Sequence, residues 1–303
     1  MSVLRTPLPS PLVEPDWVAD HLHDDDVVVV DVDEDTESYA RAHVDGAVGL
    51  NWTMDLCHPR RRTVLDQRSF EQLMDRLGVT ADTHVVLYGG NHNWFASYAY
   101  WTFKLYGHRR LSLMNGGRTA WQHEGRPLTS RLPDRSPTVG YRAAAPDPSI
   151  RVFRDEVLEE LVGGPPGVSL IDVRSEPEYQ GRSAAPPHLP GEAAMVAGHI
   201  PGASNVPWSH AVDGQTGKFL SGEALCSLYR RAGVGPDDNT VVYCRIGERA
   251  AHTWFVLHEI LGFAQVRNYD GSWAEYGSLI DVPVAQVEVE EAAPDLGAIP
   301  AAG

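Results

Sequence analysis

Cysteine is scarce in this sequence, which has only Cys57, Cys226 and Cys244 among its 303 residues. Three is an odd and sparse set, so a disulfide framework is not expected, and no two of the cysteines form a Cys-x-x-Cys pair. An HExxH motif and the cysteine and histidine spacings of structural zinc sites are also missing. The sequence therefore predicts neither a metal site nor another cofactor.

Long apolar runs and an excess of positive charge are missing as well. No apolar run approaches the roughly 20 residues that span a bilayer, and residues 1–17 lack the apolar segment of a secretory signal. The formal net charge of -16 repels nucleic acid and anionic membranes. We expect a cytoplasmic protein with no nucleic-acid or membrane partner, in which a local positive feature must attract any anionic substrate.

The sequence does contain an internal repeat. In both copies, an apolar β-branched run ends in Asp-Val, and a His-x-x-Gly-Ala turn follows, beginning at His43 and at His199. Farther along, VVLYGG in the first copy parallels VVYCRI in the second, which aligns Gly89 with Cys244. The repeat is about 150 residues long, too long for a solenoid unit, and it therefore implies two duplicated domains.

We divide the chain accordingly into four parts. They are a first domain, a proline-containing linker, a second domain and a flexible tail, at residues 12–128, 129–149, 150–284 and 285–303. Between the aspartate and the histidine of the repeat, the second copy has about 15 more residues than the first. These extra residues, 182–196, are rich in proline, glycine and alanine and are interpreted as a surface loop.

Short apolar runs alternate with helical patterns in each copy. The runs have the length of doubly buried strands and lie at residues 27–32, 85–88, 111–114, 169–173, 240–243 and 265–269. This alternation predicts an α/β fold of two tandem domains, each with a central, mainly parallel sheet flanked by helices. In such sheets, ligands bind beyond the carboxyl ends of the strands.

The sequence CRIGER, residues 244–249, lies at such a position. Cys244 directly follows a predicted strand, and the next residues lead into a predicted helix, whose first N–H groups lack helical partners. These donors, the helix dipole and the charges of Arg245 and Arg249 all favour the thiolate. A buried structural cysteine is the alternative, but core cysteines are not normally flanked by two arginines. We therefore predict that Cys244 is a reactive nucleophile.

Taken together, the motifs resemble those of the rhodanese family. The pattern comprises Asp-Val, His-Ile-Pro-Gly-Ala, Tyr-Cys-x4-Arg and Tyr-Asp-Gly-Ser-Trp, and the resemblance runs from Asp16 to Val284. It is similar to the two-domain thiosulfate sulfurtransferases of actinobacteria. The resemblance implies a five-stranded, mainly parallel sheet in each domain. It also implies a non-catalytic first domain, with Gly89 in place of the cysteine, and a catalytic second domain with Cys244 as its nucleophile.

The resemblance further implies a reaction. The Cys244 thiolate attacks the outer sulfur of thiosulfate, sulfite leaves, and a thiophilic acceptor such as cyanide removes sulfur from the resulting persulfide. Arg182 in the inserted loop is a candidate donor-binding residue, because Glu178 stands where many relatives have a donor-binding arginine. Two arginines of the active-site loop are expected to hold the anionic donor. The substrate-binding residues expected from that loop are Arg245, Ile246, Gly247, Glu248 and Arg249.

Other activities are compared through the same loop. Phosphatases with a cysteine nucleophile need Cys-x5-Arg to wrap a whole phosphate, whereas the spacing here is Cys-x4-Arg. Many thiosulfate enzymes resemble Cys-Arg-Lys-Gly-Val, from which Ile246 and Glu248 depart. Mercaptopyruvate enzymes resemble Cys-Gly-Ser-Gly-Val, from which Arg245 departs. A 3-mercaptopyruvate sulfurtransferase and a persulfide carrier that delivers sulfur to a partner protein therefore stay open as alternatives.

Four residues outside the loop are expected to support the pocket. Asp172 and Arg174 follow a predicted strand and are expected to form an ion pair, either functional or purely structural. His199 is expected to be a hydrogen-bonded structural residue, and Trp273 to wall the pocket. Within the loop, Glu248 is expected to pair with an arginine, because an unpaired carboxylate would repel an anionic donor.

Overall fold

The computed structural model describes residues 7–61, 63–161, 167–183 and 194–287. Within them, two α/β domains are built on parallel sheets. The strands of the first sheet are β1 (Leu12–Val13), β2 (Val27–Asp31), β3 (Val48–Gly49), β4 (His84–Tyr88) and β5 (Leu111–Met114). They lie in the order β1-β5-β4-β2-β3, and every pairing is parallel.

The second sheet repeats this order with one strand fewer. Its strands are β6 (Val168–Asp172), β7 (Ser204–Asn205), β8 (Asn239–Tyr243) and β9 (Val266–Tyr269). They lie in the order β7-β6-β8-β9, again all parallel. A single parallel bridge between Arg151 and Asn268 lies where β1 lies in the first domain. Five strands are therefore present in the first domain, and a bridge takes the place of the fifth strand in the second.

Helices connect the strands and cover both faces of the sheets. In the first domain they are α1 (Pro15–His21), α2 (Ser38–Arg41), α3 (Gln67–Arg76), α4 (Trp94–Leu105) and α5 (Gly117–His123). In the second they are α6 (Arg154–Glu156), α7 (Glu176–Tyr179), α8 (Gly222–Arg231), α9 (Glu248–Trp254) and α10 (Ser272–Tyr276). Helix α9 continues as a π-helical turn at Phe255–Ile260.

Burial explains why the strand predictions are accurate. All five residues of β2 and of β4 are buried, because helices cover both faces of a parallel sheet. Each of the six predicted strands is confirmed to within one residue at either end. The strands β1, β3 and β7 have only two residues each, which is too short for an apolar run to reveal.

Helices α4 and α9 pack against each other and join the two domains. Every residue of α9 is buried, and in α4 only Lys104 is partly exposed. The Tyr100 ring meets the Phe255 ring edge to face, with centroids 4.8 Å apart, and its hydroxyl donates to Glu259 at 3.0 Å. The largest apolar cluster therefore crosses the domain boundary, and the loop that precedes α9 lies at this interface.

The connecting segments lie along the domains. In the predicted linker, Arg135 donates to the carbonyls of Leu77 and Gly78. Residues 184–193 of the predicted surface loop lie outside the described residues, as do residues 288–303 of the predicted tail. Before that point, Ala285 pairs with His199 in an antiparallel bridge. Among the described helices, none has both the length and the apolar character needed to cross a membrane.

Candidate active site

Cys244 lies at the carboxyl end of β8, directly after its last residue, Tyr243. Its side chain is fully buried. The Gly247 N–H donates to Cys244 Sγ at 3.1 Å, and the Cys244 N–H donates to Ser272 Oγ at 3.0 Å. A backbone N–H that points at sulfur stabilises negative charge there, so the loop is built to hold a thiolate.

Gly247 sets the shape of the loop. Its φ of 100° is in the region that favours glycine, and a Cβ there would lie 2.8 Å from the Cα atom of Asp270. Asn268 Nδ2 donates to the Gly247 carbonyl at 3.1 Å and fixes the turn from the other side. Any larger residue at position 247 would push the loop away from β9 and turn the N–H away from the sulfur.

Arg249 is held by Glu178. Two hydrogen bonds of 2.8 Å run from its Nη1 and Nη2 atoms to the Glu178 carboxylate, and both side chains are buried. Burial opposes the charged form of each, but the pairing outweighs it and lowers the pKa of Glu178 to about 2. The pKa of Arg249 is raised, against burial, by Glu178 and by the nearby charge of Cys244. The pair therefore keeps a positive charge beside the sulfur.

The pairing with Glu178 bears on the predicted role of Arg249. The sequence suggested that its guanidinium binds the anionic donor directly, and the structure shows that one N–H of each outer nitrogen is bound to the Glu178 carboxylate. Its Nε lacks a hydrogen-bond partner among the described residues, and its guanidinium lies 5.6 Å from the Trp94 ring centroid of the first domain. Arg249 thus places a buried positive charge beside the loop, and its direct contact with the donor stays a prediction.

The other loop residues are anchored through their backbone. The Cys244 carbonyl accepts from the Trp273 N–H at 3.0 Å, and the Arg245 carbonyl accepts from the Ala274 N–H at 2.9 Å. Arg245 and Glu248 are buried, and Ile246 is half-buried. Helix α10 therefore clamps the start of the loop. The pairing of Glu248 with an arginine, either Arg245 or Arg249, stays a prediction.

Asp172 and Arg174 form the predicted ion pair in full burial. Arg174 Nη2 lies 2.6 Å from Asp172 Oδ2 and also donates to the Gly198 carbonyl at 2.7 Å. Its guanidinium stacks 4.7 Å from the Trp273 ring centroid. Since the pair ties β6 to the turn before His199 and has no contact with the sulfur among these bonds, its role is to hold the edge of the site.

His199 and Arg182 differ in position from the loop residues. His199 Nδ1 lies 2.8 Å from the Tyr179 carbonyl, and its ring stacks on Tyr179 with centroids 3.7 Å apart, as expected of a structural histidine. Arg182 is exposed, and its N–H closes the end of α7 on the Pro177 carbonyl. The structure thus brings the loop, Glu178 and Ser272 together in the interior and leaves Arg182 on the surface.

Sequence reasoning missed two residues of this site. In the sequence, Glu178 is recognised only as a position where relatives have an arginine, and Ser272 only as a member of the Tyr-Asp-Gly-Ser-Trp motif. Ser272 has a φ of 51°, and its hydroxyl donates to the Tyr269 carbonyl at 2.7 Å while it accepts from Cys244. Among the described residues, no three His, Cys, Asp or Glu side chains are grouped as a metal ion would require.

The fold and this loop define a class of protein, and comparison with known proteins identifies it. The model of the rhodanese-like domain matches residues 14–124 and 154–279. Over 273 residues, the chain is 50% identical to the Mycobacterium tuberculosis protein named "Putative thiosulfate sulfurtransferase", covering 90% of this chain and 96% of that protein. Over 284 residues it is 48% identical to the sulfur carrier protein TtuD of Thermus thermophilus, covering 92% and 98%. The chain therefore belongs to the rhodanese family and contains two rhodanese-like domains.

Solved structures agree with this assignment at the level of the fold. The 3-mercaptopyruvate sulfotransferase SseA from Escherichia coli superposes with a TM-score of 0.73 and 24% identity, covering 88% of this chain and 99% of that one. The anaerobic ergothioneine biosynthesis enzyme from Chlorobium limicola gives 0.79 and 21%, covering 91% and 70%. The family and the fold expected from the motifs are confirmed.

Proposed function

We propose that this protein is a sulfurtransferase that moves the outer sulfur of thiosulfate to a thiophilic acceptor through a persulfide on Cys244. The observation that carries the proposal is the 3.1 Å hydrogen bond from the Gly247 N–H to Cys244 Sγ, beside the buried charge of Arg249. An anion at this sulfur is stabilised before any donor arrives. The names of the relatives at 48–50% identity support the same chemistry.

In the proposed reaction, the Cys244 thiolate attacks the outer sulfur of thiosulfate. A new sulfur–sulfur bond forms at Cys244, the bond within thiosulfate breaks, and sulfite leaves with its electron pair. The acceptor then attacks the terminal sulfur of the persulfide, and Cys244 departs as the thiolate. The Gly247 N–H and the Arg249 charge favour the anionic sulfur before and after transfer, and Arg245, Ile246 and Glu248 complete the loop around the donor.

The donor and the acceptor are each open to a direct test. Mercaptopyruvate is the second donor candidate because the chain shares its fold with SseA, and a protein acceptor is the second acceptor candidate because of the similarity to TtuD. A donor panel with cyanide as acceptor separates the first two, and we expect thiosulfate to be turned over faster than 3-mercaptopyruvate. Turnover of 3-mercaptopyruvate alone would overturn the donor assignment.

The covalent intermediate is tested by intact-mass analysis. After incubation with thiosulfate, the wild-type chain should gain the mass of one sulfur atom, and peptide mapping should place it on Cys244. The Cys244→Ser variant should gain none and should lose turnover, because the Gly247 N–H and the buried Arg249 charge that favour an anionic sulfur lie at position 244. Cys57→Ser and Cys226→Ser are the matched controls and should keep most of the activity. Added mass on Cys57 or Cys226 would refute the assignment.

A further inference from the structure

The first domain carries a positively charged hairpin. Residues 57–61, 63 and 64, named here the basic hairpin, are closed by an antiparallel bridge between Cys57 and Val64 and by a 2.7 Å bond from the His58 N–H to the Thr63 carbonyl. Its tip contains Arg60 and Arg61, and both are exposed. Two adjacent surface arginines stand out in a chain whose net charge is -16, where anions are otherwise repelled.

Contacts link the basic hairpin to the catalytic loop. Thr63 Oγ1 accepts from Arg151 Nη2 at 2.7 Å, and Arg151 also binds both carboxylate oxygens of Asp270, at 2.9 and 2.7 Å. The Asp270 backbone lies against Gly247, where a Cβ would be only 2.8 Å away. Because the Gly247 N–H holds Cys244 Sγ, the hairpin is three contacts away from the residue that binds the sulfur.

Charges of the hairpin and of the loop act on the same buried hydroxyl, that of Tyr98. Its pKa is raised well above the ordinary value, first by burial and then by the charges of Cys57, Asp270 and Glu248. Cys57 begins the basic hairpin, and Glu248 belongs to the catalytic loop. This agrees with the chain of contacts from Thr63 through Arg151 and Asp270 to Gly247.

The duplication of the chain shows what such a hairpin covers. In the second domain, residues 212–219 form an equivalent hairpin, with a bridge between Val212 and Phe219. It lies on the first domain at the non-catalytic loop, where the Phe219 N–H donates to Asn115 at 3.0 Å. A Cβ on Gly217 would lie 2.7 Å from the His92 ring. The second-domain hairpin therefore lies against the strand-end loop of the first domain, and the basic hairpin contacts the second domain through Arg151.

The two hairpins differ in charge. The second-domain hairpin carries Lys218, whose ammonium is paired with Glu14 and Glu124 at 3.0 and 2.9 Å. In the basic hairpin, neither Arg60 nor Arg61 is within salt-bridge distance of a carboxylate of the described residues. Arg60 and Arg61 are therefore exposed charges on a hairpin that contacts Arg151 of the second domain, whereas the charge of Lys218 is neutralised.

We propose that the basic hairpin recruits the anionic sulfur donor to Cys244 through the charges of Arg60 and Arg61. The identity of the donor as thiosulfate rests on the proposed function, whereas the recruitment of small anions does not. Two arginines nearer the site are already paired, Arg249 with Glu178 and Arg151 with Asp270, so they attract a dianion less from a distance. The two exposed arginines supply the local positive feature that the acidic chain requires.

The first test measures the electrostatic potential at the Cys244 thiol and involves no sulfur transfer. Iodoacetate is an anion and iodoacetamide is neutral, and in each case the Cys244 thiolate displaces iodide and forms a carbon–sulfur bond. The ratio of the two alkylation rates, followed by the mass of the Cys244 peptide, reports the local charge. In the Arg60→Ala, Arg61→Ala double variant, we expect this ratio to fall about threefold to tenfold at low ionic strength and much less at high salt.

The matched control removes the same charge elsewhere. Arg230 and Arg231 are also adjacent and exposed, and they end helix α8, which runs back to the start of β8. They therefore lie at the edge of the sheet opposite Cys244. Their double alanine variant should leave the alkylation ratio unchanged. An equal ratio in wild type and in the Arg60, Arg61 variant, or an equal fall in both double variants, would overturn the proposal.

The second test asks whether recruitment of the donor changes the rate of thiosulfate turnover. In the Arg60→Ala, Arg61→Ala variant, kcat/KM for thiosulfate should fall by a similar factor through KM, with kcat nearly unchanged and the effect reduced by salt. If the wild type alkylates as expected but turns over no thiosulfate, the proposed function fails and the recruitment stands. If the wild type turns over thiosulfate and neither KM nor the alkylation ratio changes, the recruitment fails and the proposed function stands.

Discussion

The turn before β3 in the first domain and the turn before β7 in the second are held in the same way, by a tyrosine at the end of a central strand. The Tyr88 hydroxyl accepts from the Val44 N–H at 2.9 Å in the first domain, and the Tyr243 hydroxyl accepts from the Ile200 N–H at 3.1 Å in the second. An arginine lies over each ring, at 5.7 and 5.9 Å from the ring centroid. The scaffold under the two strand-end loops is therefore shared, and the difference in function must arise above it.

The arginine over the tyrosine ring comes from a different sequence position in each domain. In the first domain it is Arg118 of α5, which pairs with Asp31 at 2.6 Å, and in the second it is Arg174, which follows Asp172 by two residues. Trp273 then takes the place of Arg118 and stacks on the Arg174 guanidinium. In both domains an arginine pairs with the strand-end aspartate, but a different sequence position supplies that arginine.

The loops themselves differ in what their backbone permits. The Gly89 N–H donates to Asn93 Oδ1 at 3.0 Å, as the Cys244 N–H does to Ser272 Oγ. A Cβ on Gly89 would lie 2.0 Å from the Val32 carbonyl oxygen, so no side chain fits there. Residues 91–93 also have positive φ angles in succession, which is costly for residues other than glycine. The backbone of the first-domain loop therefore leaves no room for a cysteine at position 89, which supports our proposal that this domain is non-catalytic.

The largest effect is expected from moving the cysteine between the domains. The Gly89→Cys, Cys244→Ser double variant should carry no persulfide and show no turnover above background, because a side chain at position 89 collides with the backbone of Val32. Intact-mass analysis after thiosulfate measures this directly. A persulfide on residue 89 would show that the two loops differ by one side chain only and would break the comparison.

The next effect concerns the buried ion pair of Glu178 and Arg249 in the second domain. Glu178→Gln removes the carboxylate and leaves the Arg249 charge buried, so we expect a loss of activity up to about a hundredfold and about 3 kcal/mol of stability at pH 7. Initial rates measure the loss of activity, and urea unfolding measures the loss of stability. Arg182→Ala is the surface control and should change the rate less than about twofold. A larger loss in Arg182→Ala would move the donor site to the inserted loop.

The pH dependence of stability sharpens this second prediction. The pKa of Glu178 is lowered to about 2 from its ordinary value of 4.5, so the folded state holds the carboxylate more strongly in its charged form. The stability that the charged Glu178 carboxylate provides is therefore fully present above about pH 4.5 and is lost as the pH falls towards 2. The stability difference between wild type and Glu178→Gln should stay constant from pH 7 to 5 and shrink below pH 4.5. A constant difference at pH 3.5 would show that packing, and not charge, is the cause.

A smaller effect is expected at the glycine that shapes the loop. Gly247→Ala should lower activity about tenfold and stability by about 2 kcal/mol, because it combines an unfavourable φ with a collision against Asp270. Gly125→Ala is the matched control, since its φ is 68° and nothing lies within 4 Å of its Cβ. It should cost about 1 kcal/mol of stability and no activity. Equal losses of stability in Gly247→Ala and Gly125→Ala would mean that Asp270 moves aside and that the collision costs no stability.

The sequence could predict the strands, the duplication and the position of Cys244 because each leaves a local pattern. Burial on both faces gives apolar runs, and duplication gives repeated motifs at similar spacing. The pairing of Glu178 with Arg249 spans 71 residues and leaves no such pattern. Arg249 was therefore assigned to the donor, which is the nearest partner that a reading of the loop alone suggests. Ser272 acts through a backbone in the left-handed region, and a serine in the sequence gives no sign of that conformation.

The smallest effect compares the side chains that hold the two strand-end N–H groups. Ser272→Ala removes the acceptor of the Cys244 N–H, and Asn93→Ala removes that of the Gly89 N–H. Each leaves a buried N–H without that partner, so each should cost about 1–2 kcal/mol of stability. Only Ser272→Ala should also lower thiosulfate turnover, by about threefold, because only there does the N–H belong to the residue that carries the sulfur. Equal stability losses with a rate change in Asn93→Ala instead would mean that the first domain controls the catalytic loop through the interface of α4 with α9.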